Sequence, residues 1–256
     1  MNSDILIGIL IPFFGTALGA GLVLFMKREF NFYIGDFLTA LAGGIMTAAS
    51  VWSLIIPSIE ESSHLGSFAF IPCCVGIVSG CIFMISLEKI TVSLLGDRAS
   101  KAAGYKSLNT ILAVTIHNIP EGMAVGCVYA SAIASESEQL FASAFLLSLG
   151  IAVQNIPEGA VISMPIYAEG KAKSKAFFVG ILSGTVEPLG AFFTLLTASF
   201  IQAVLPYCLS FAAGTMLFVV SQEMLPEIEY KGKYPLTGIG FISGFMVMMC
   251  LDVALS

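Results

Sequence analysis

Two copies of one polar hexapeptide interrupt the apolar sequence of this 256-residue chain. The first copy reads HNIPEG and begins at His117, and the second reads QNIPEG and begins at Gln154. Glu121 lies four positions after His117, and Glu158 lies four positions after Gln154, so each pair shares one face of a helix. Carboxylates in apolar surroundings need protons, water or a cation, because they cannot stay ionised and unpaired there. The doubled motif therefore predicts a cation-binding centre.

Further polar residues extend this predicted centre. Asn118 and Asn155 follow the first residue of each copy and widen the polar face sideways, and Glu187 adds a third carboxylate from a later apolar stretch. One imidazole nitrogen and several oxygens suit a first-row divalent ion, since imidazole favours zinc or iron and carboxylates also admit manganese and cobalt. Two carboxylates shared between neighbouring ions make a binuclear site reasonable.

Each hexapeptide also contains a proline, Pro120 or Pro157. Proline removes a backbone amide and clashes with the carbonyl four residues earlier. We expect both prolines to bend their helices where the carboxylates lie. Interrupted helices near the middle of the membrane recur in transporters.

The composition supplies the setting for this centre. Hydrophobic residues make up 57% of the chain and charged residues only 11%, against about 25% charged residues in soluble domains. This excludes an ordinary cytosolic enzyme, a disordered chain and a disulfide-stapled secreted domain, and the net charge of −6 argues against a nucleic-acid partner. We predict an all-α, polytopic membrane bundle in which residues 1–256 form a single domain. Hydropathy places eight transmembrane helices near 4–26, 37–56, 68–87, 107–130, 140–163, 176–200, 207–226 and 236–255.

The basic residues predict an orientation for these helices. All eleven Lys and Arg residues fall in alternate connections, and the excess of Lys and Arg in cytoplasmic loops makes those connections cytoplasmic. Both termini then face outside. The outer connections carry acidic residues and no bases, and we interpret them as a solvated rim, with weak collection of cations at an entrance as the alternative. The basic residues are Lys27, Arg28, Lys89, Arg98, Lys101, Lys106, Lys171, Lys173, Lys175, Lys231 and Lys233.

Two other residue classes receive structural predictions. Five pairs of glycines recur at four-residue spacing, which lets helices approach closely in lipid. Six cysteines lie in apolar stretches without a CxxC pair, and we interpret them as small buried residues. Asp4 and Asp252 are interpreted as exposed charges at helix ends. The glycine pairs are Gly15/Gly19, Gly76/Gly80, Gly122/Gly126, Gly180/Gly184 and Gly240/Gly244.

The two hexapeptides resemble the paired metal-binding motifs of the ZIP (Zrt/Irt-like) metal transporters, and the bacterial GufA-like branch is the most similar. The resemblance extends over the whole chain, through AGGIMTAASVWSLIIPSIE in the second predicted helix, GTVEPLGA in the sixth and AAGTMLFVVSQEMLPE in the seventh. It implies uptake of divalent metal into the cytoplasm: zinc first, with iron, manganese, cobalt or cadmium as alternatives. It also implies a homodimer and an elevator-like motion of helices one, four, five and six against the other four. We expect a multi-pass protein of the inner (plasma) membrane, with divalent metal and the lipid bilayer as partners and no catalytic cofactor.

The resemblance also implies a ligand set. The first metal position would use His117, Glu121, Gln154 and Glu158 with Glu187, and the second would use Asn118, Glu121, Asn155, Glu158 and Glu187. Met46 and Ser53 match an entrance path, and Glu223 is a further candidate on the transport pathway. Two departures stand out. Gln154 replaces the histidine of many members, so zinc preference is less secure. Asn155 is neutral, where an aspartate would add charge, so the second position should bind metal more weakly.

Two rival functions remain at this stage. A metal-selective channel could use the same cluster, although conduction requires weak, multi-site binding. An intramembrane metal hydrolase would need an open zinc position and a general base, whereas the chain has no HExxH motif and only two histidines. We therefore predict a carrier and no enzyme.

Overall fold

The chain folds as helices, because a backbone amide in an apolar medium must find its partner within its own segment. The structure, a computed structural model, describes residues 3–27, 32–103, 108–196, 198–227 and 235–255. Within these ranges some side chains lie outside the description, His117 and Glu223 among them. The α-helices are α1 (Ser3–Gly21), α2 (Phe32–Ala49), α3 (Ile56–Glu61), α4 (Phe70–Ala103), α5 (Leu108–Ser135), α6 (Glu138–Ala168), α7 (Lys173–Gly184), α8 (Val186–Leu195), α9 (Ala198–Val219), α10 (Leu225–Glu227) and α11 (Pro235–Leu255).

The described chain confirms the all-α, polytopic membrane bundle. It contains no strand, and seven helical stretches within it are long and apolar enough to cross a membrane. Helix α5, the predicted fourth helix, is not one of the seven, but its 28 residues extend about 42 Å at 1.5 Å per residue. The count of eight spans, the outward termini and the single domain stay predictions.

The prediction of where the connection before the fourth helix begins was wrong. The third helix was predicted to end at 87, but α4 continues to Ala103, so Lys89, Arg98 and Lys101 lie on a helix rather than in a connection. Hydropathy marks where the apolar stretch ends, whereas a helix can continue into water, which tolerates charged side chains. Lys106 lies outside the described residues.

In the described chain, the helix interruptions do not lie at the motif prolines, and the bends expected there stay predictions. Helices α5 and α6 continue through Pro120 and Pro157. The sixth predicted helix is divided instead at Thr185, between α7 and α8. Two π-helical segments, Ser50–Ile55 and Val220–Met224, join α2 to α3 and α9 to α10. A proline follows each π segment within two residues, and the wider turn accommodates the clash between a proline ring and the preceding carbonyls.

The glycine pairs pack helices together, as predicted. Helix α1 packs on α6, α2 on α11, α4 on α9, and α5 on α8. A Cβ atom on Gly15 would lie 2.3 Å from the Ala152 carbonyl oxygen, and one on Gly44 would lie 1.9 Å from that of Phe241. Every such tight contact with backbone joins α1 and α5–α8 among themselves, or α2, α4, α9 and α11 among themselves. By these glycine contacts the described helices divide into two groups, named below the motif group (α1, α5–α8) and the flanking group (α2–α4, α9–α11). The two groups also pack on each other, through α5 with α9 and α2 with α6.

The predicted burial of the cysteines is only partly correct. Cys73 and Cys127 are buried and Cys81 and Cys208 are half-buried, whereas Cys74 and Cys250 are exposed on the outside of the bundle. A small thiol is apolar enough to face lipid, so an apolar stretch does not decide which way it points. Large apolar side chains such as Leu182 also cover this outer surface, as a lipid-facing perimeter requires.

Candidate metal centre

The side chains of both hexapeptides meet at the centre of the motif group. Asn118 and Glu121 on α5 and Gln154, Asn155 and Glu158 on α6 are between 0 and 2% exposed. Glu187, in the first turn of α8, is also fully buried. Burial of this many polar groups costs free energy unless each finds a partner. Their partners therefore decide what the centre can do.

One hydrogen bond joins the two copies of the motif. The Gln154 side-chain amide nitrogen donates to Glu121 Oε1 at 2.5 Å, across α5 and α6. The other oxygen of each group, Glu121 Oε2 and Gln154 Oε1, has no hydrogen-bond partner. Gln154 thus holds one oxygen of Glu121 and leaves the second available to a ligand.

Glu187 accepts hydrogen bonds from three different helices. Thr16 Oγ1 on α1 donates to Glu187 Oε1 at 2.9 Å, and Asn118 Nδ2 donates to the same oxygen at 3.0 Å. Asn155 Nδ2 donates to Glu187 Oε2 at 2.8 Å and lies 3.2 Å from the Pro12 carbonyl oxygen. Because both amides direct nitrogen toward Glu187, their oxygens must point elsewhere.

Close helix packing brings these partners together. A Cβ atom on Gly122 would lie 2.0 Å from the Glu187 carbonyl oxygen, so only glycine lets α5 approach α8 this closely. A Cβ atom on Gly159 would lie 2.2 Å from the Thr16 carbonyl oxygen, which sets α6 against α1. The division at Thr185 also starts a new helix, whose N-terminal amides favour the negative charge of Glu187.

The centre holds six buried oxygen atoms that lack a hydrogen-bond donor. They are the only such side-chain atoms in the part of the chain that the structure describes. Carboxylates accept and do not donate, so these oxygens require protons, water or a cation. The carboxylates of Glu158 and Glu187 are also near enough to that of Glu121 to interact with it electrostatically. The six atoms are Asn118 Oδ1, Glu121 Oε2, Gln154 Oε1, Asn155 Oδ1, Glu158 Oε1 and Glu158 Oε2.

Known proteins match this chain over most of its length. The family model described as ZIP Zinc transporter matches residues 97–252, which includes both hexapeptides. The zinc transporter GufA of Myxococcus xanthus is 34% identical over 94% of this chain and 95% of its own length. The chain belongs to the ZIP family. The zinc transporter ZIP11 of Xenopus tropicalis is 33% identical over 98% of this chain and 96% of its own length. The zinc transporter ZIPB of Bordetella bronchiseptica is 32% identical over 95% of this chain and 78% of its own length.

The ZIP ligand set is assembled here only in part. Glu121, Gln154 and Glu158 present free oxygens, whereas both oxygens of Glu187 are occupied by donors. No three His, Cys, Asp or Glu side chains within the described ranges are gathered so that they could hold a metal ion by themselves. A metal ion held by the described side chains alone would therefore also need amide oxygens as ligands.

The residues predicted for the pathway of this ZIP protein lie on the flanking group. Met46 on α2 is fully buried, and Ser53 lies in the π segment Ser50–Ile55. Ser53 Oγ donates to Asp252 Oδ2 at 2.8 Å and lies 3.0 Å from Oδ1. Glu223 lies in the other π segment, with its side chain outside the description. Segments of π-helix are frequent at functional sites.

The sequence reasoning missed two residues that hydrogen-bond to the candidate site and pathway residues. Asp252 is half-buried against Ser53, so its interpretation as an exposed helix-end charge was wrong, whereas Asp4 is exposed as predicted. A carboxylate inside an apolar helix is itself a functional signal, which its nearness to the chain end concealed. Thr16 was not considered, although hydroxyl side chains commonly bond between membrane helices.

Proposed function

We propose that this protein carries divalent metal ions, zinc first among them, across the membrane into the cytoplasm. The single observation that supports this most is the cluster of six buried, donor-free oxygens between α5 and α6. Iron, manganese, cobalt and cadmium remain alternative cargo, because carboxylate and amide oxygens discriminate weakly among these ions. Several relatives are named zinc transporters rather than enzymes.

We propose two metal positions of unequal strength. The first combines Glu121, Glu158 and Gln154 with His117, and it has the free carboxylate oxygens. The second combines Asn118, Asn155 and Glu187 with the shared carboxylates Glu121 and Glu158. Metal at the second position must displace amide hydrogens from Glu187, so it should bind more weakly there.

We further propose an elevator-type motion of the motif group against the flanking group. Glycine contacts with backbone bind the helices within each group. Across the boundary, a Cβ atom on Gly150 would meet only the flexible end of the Met248 side chain. A boundary made of side chains can slide at lower cost than one with interlocked backbones. The metal-binding side chains all lie in the motif group, so they would move together with the cargo.

Uptake into liposomes tests this proposal. Purified protein is reconstituted with a zinc indicator inside, and we expect zinc uptake that saturates at micromolar zinc, with slow turnover. Glu121→Gln and Glu158→Gln should each lower uptake at least about tenfold, because each removes a charged ligand worth more than 1.4 kcal/mol. Asp4→Asn, which changes an exposed acid at the start of α1, is the matched control.

Two results would contradict the proposal. Wild-type uptake by Glu121→Gln and Glu158→Gln together would exclude this centre, and flux that rises linearly into millimolar zinc would indicate the channel alternative. The homodimer and the inner-membrane location expected from the resemblance stay proposals. The mass of the detergent-solubilised particle tests the homodimer.

A further inference from the structure

A basic corner forms where the end of α1 meets the start of α7. Lys173 is the first residue of α7, and its Nζ donates to the carbonyl oxygen of Leu24 at 2.7 Å, in the 3₁₀ turn that follows α1. The same Nζ lies 5.4 Å from the centroid of the Tyr167 ring at the end of α6. Lys27 follows three positions after Leu24 and is exposed. Helix packing therefore brings two lysines that are far apart in sequence to one corner of the motif group.

The two chain segments that meet here are basic in sequence. Residues 27–29 and 169–175 contain five Lys or Arg residues and two Glu residues. The acids offset part of the positive charge, and an excess of basic residues remains. These segments lie on the side of the membrane that the basic residues predict to be cytoplasmic. The charged residues are Lys27, Arg28, Glu29, Glu169, Lys171, Lys173 and Lys175.

Two apolar stripes lead away from this corner along the outside of the bundle. Leu18, Leu22 and Phe25 recur every three or four positions on α1 and the turn after it, so they share one face. Phe178 and Leu182 do the same on α7. All five side chains are between 42 and 86% exposed, and α1 and α7 pack on each other. The corner therefore combines positive charge with an exposed apolar surface on two neighbouring helices.

We propose that this basic corner binds the headgroup phosphate of an anionic phospholipid, whose acyl chains lie along the two apolar stripes. Basic residues at the ends of membrane helices attract anionic lipids and can bind their headgroups. Lys173 can take part while it holds Leu24, because an ammonium group has three donors. A phosphate without acyl chains would gain from the charge alone, so the apolar stripes favour a lipid. Lipid binding here does not depend on the metal transport proposed above.

Native mass spectrometry of the full-length protein in detergent tests this lipid site. The protein is titrated with phosphatidylglycerol and, separately, with phosphatidylcholine of the same acyl chains. We expect the first phosphatidylglycerol to bind at least about tenfold more tightly than phosphatidylcholine, because only the former carries a net negative charge. Lys27→Gln and Lys173→Gln should each weaken phosphatidylglycerol binding about fivefold and leave phosphatidylcholine binding unchanged. Lys173→Arg keeps the charge and the donors, so it should bind as the wild type does.

Lys89→Gln is the matched control, because Lys89 is exposed on α4 in the flanking group, beside the exposed Ile85 and Ile90. It should bind phosphatidylglycerol as the wild type does. Equal affinity of the wild type for the two lipids would overturn the site, and so would a loss in Lys89→Gln as large as that in Lys27→Gln.

Two further measurements separate a lipid site from its alternatives. Water-soluble glycerol phosphate should not displace the bound lipid, and displacement at millimolar concentration would indicate a site for free phosphate instead. The melting temperature of the lipid-free protein shows whether Lys173→Gln acts only through folding. A lower melting temperature in this variant, with weak lipid binding that Lys173→Arg does not restore, would contradict the contact between Lys173 and the headgroup.

Discussion

The Thr16 hydroxyl donates a 2.9 Å hydrogen bond to Glu187 Oε1, which joins two helices whose residues are 171 positions apart in sequence. This bond completes a set of three donors around one buried carboxylate. Because Asn118 and Asn155 supply the other two donors through their nitrogens, Glu187 determines where their oxygens point. Glu187 therefore positions the side chains of Asn118 and Asn155 in the conformation seen here.

Removal of the Thr16 hydroxyl should weaken the metal centre without removing any ligand. Thr16→Val keeps the shape of the side chain and costs a hydrogen bond to a charged group, worth about 1.5–3 kcal/mol. We expect a smaller zinc-induced rise in melting temperature and several-fold lower uptake. Thr16→Ser restores the donor and is the control. If Thr16→Val and Thr16→Ser give the same zinc-induced rise in melting temperature and the same uptake, the hydroxyl is dispensable.

Asn155→Asp should strengthen the second metal position. The substitution removes the amide that donates to Glu187 and adds a charge beside it. We expect the metal-free protein to lose stability through repulsion between the two carboxylates and the metal-bound protein to hold a second divalent ion more tightly. Calorimetric titration with zinc measures the stoichiometry. A single equivalent bound by both proteins would argue against two positions.

Gly122→Ala should disturb the contact between α5 and α8. The added Cβ atom would lie 2.0 Å from the Glu187 carbonyl oxygen, and overpacking of this kind costs about 1–3 kcal/mol or more. We expect a lower melting temperature together with weaker zinc binding, because Asn118 moves away from Glu187. Gly238→Ala is the matched control, because nothing lies within 4 Å of a Cβ atom added at that position. A stable Gly122→Ala protein with unchanged zinc binding would contradict this role.

Asp252→Asn should lower zinc uptake without changing affinity at the central site. The substitution removes a negative charge and keeps an acceptor oxygen for Ser53, whose hydroxyl donates to Asp252 Oδ2 and also lies 3.0 Å from Oδ1. A carboxylate on the path raises the local concentration of cations, so its loss should lower uptake most at low ionic strength. Ser53→Ala tests whether the hydroxyl matters by itself. Uptake with the same salt dependence as the wild type would exclude an electrostatic role for Asp252.

The candidate metal-binding residues could be picked out from the sequence because charge is scarce in this chain. Ionisable groups are costly inside a membrane, so a carboxylate that recurs with Asn and Pro in two apolar stretches indicates function without any fold. The four-residue spacing placed each Glu on the same helical face as His117 or Gln154. The glycine pairs were predictable for a similar reason, since their spacing repeats on one face of a helix.

Only the tertiary structure decided which of these polar groups are hydrogen-bonded and which lack a donor. Ser53 and Asp252 are 199 positions apart, and Thr16 and Glu187 are nearly as distant, so local spacing could not pair them. From the sequence alone, the carboxylates of Glu121, Glu158 and Glu187 cannot be distinguished. The packing of α1 and α8 against the two motif helices surrounds Glu187 with donors and leaves Glu158 with none. Residue type thus indicated a cation-binding centre, and helix packing determined which of its oxygens lack a hydrogen-bond donor.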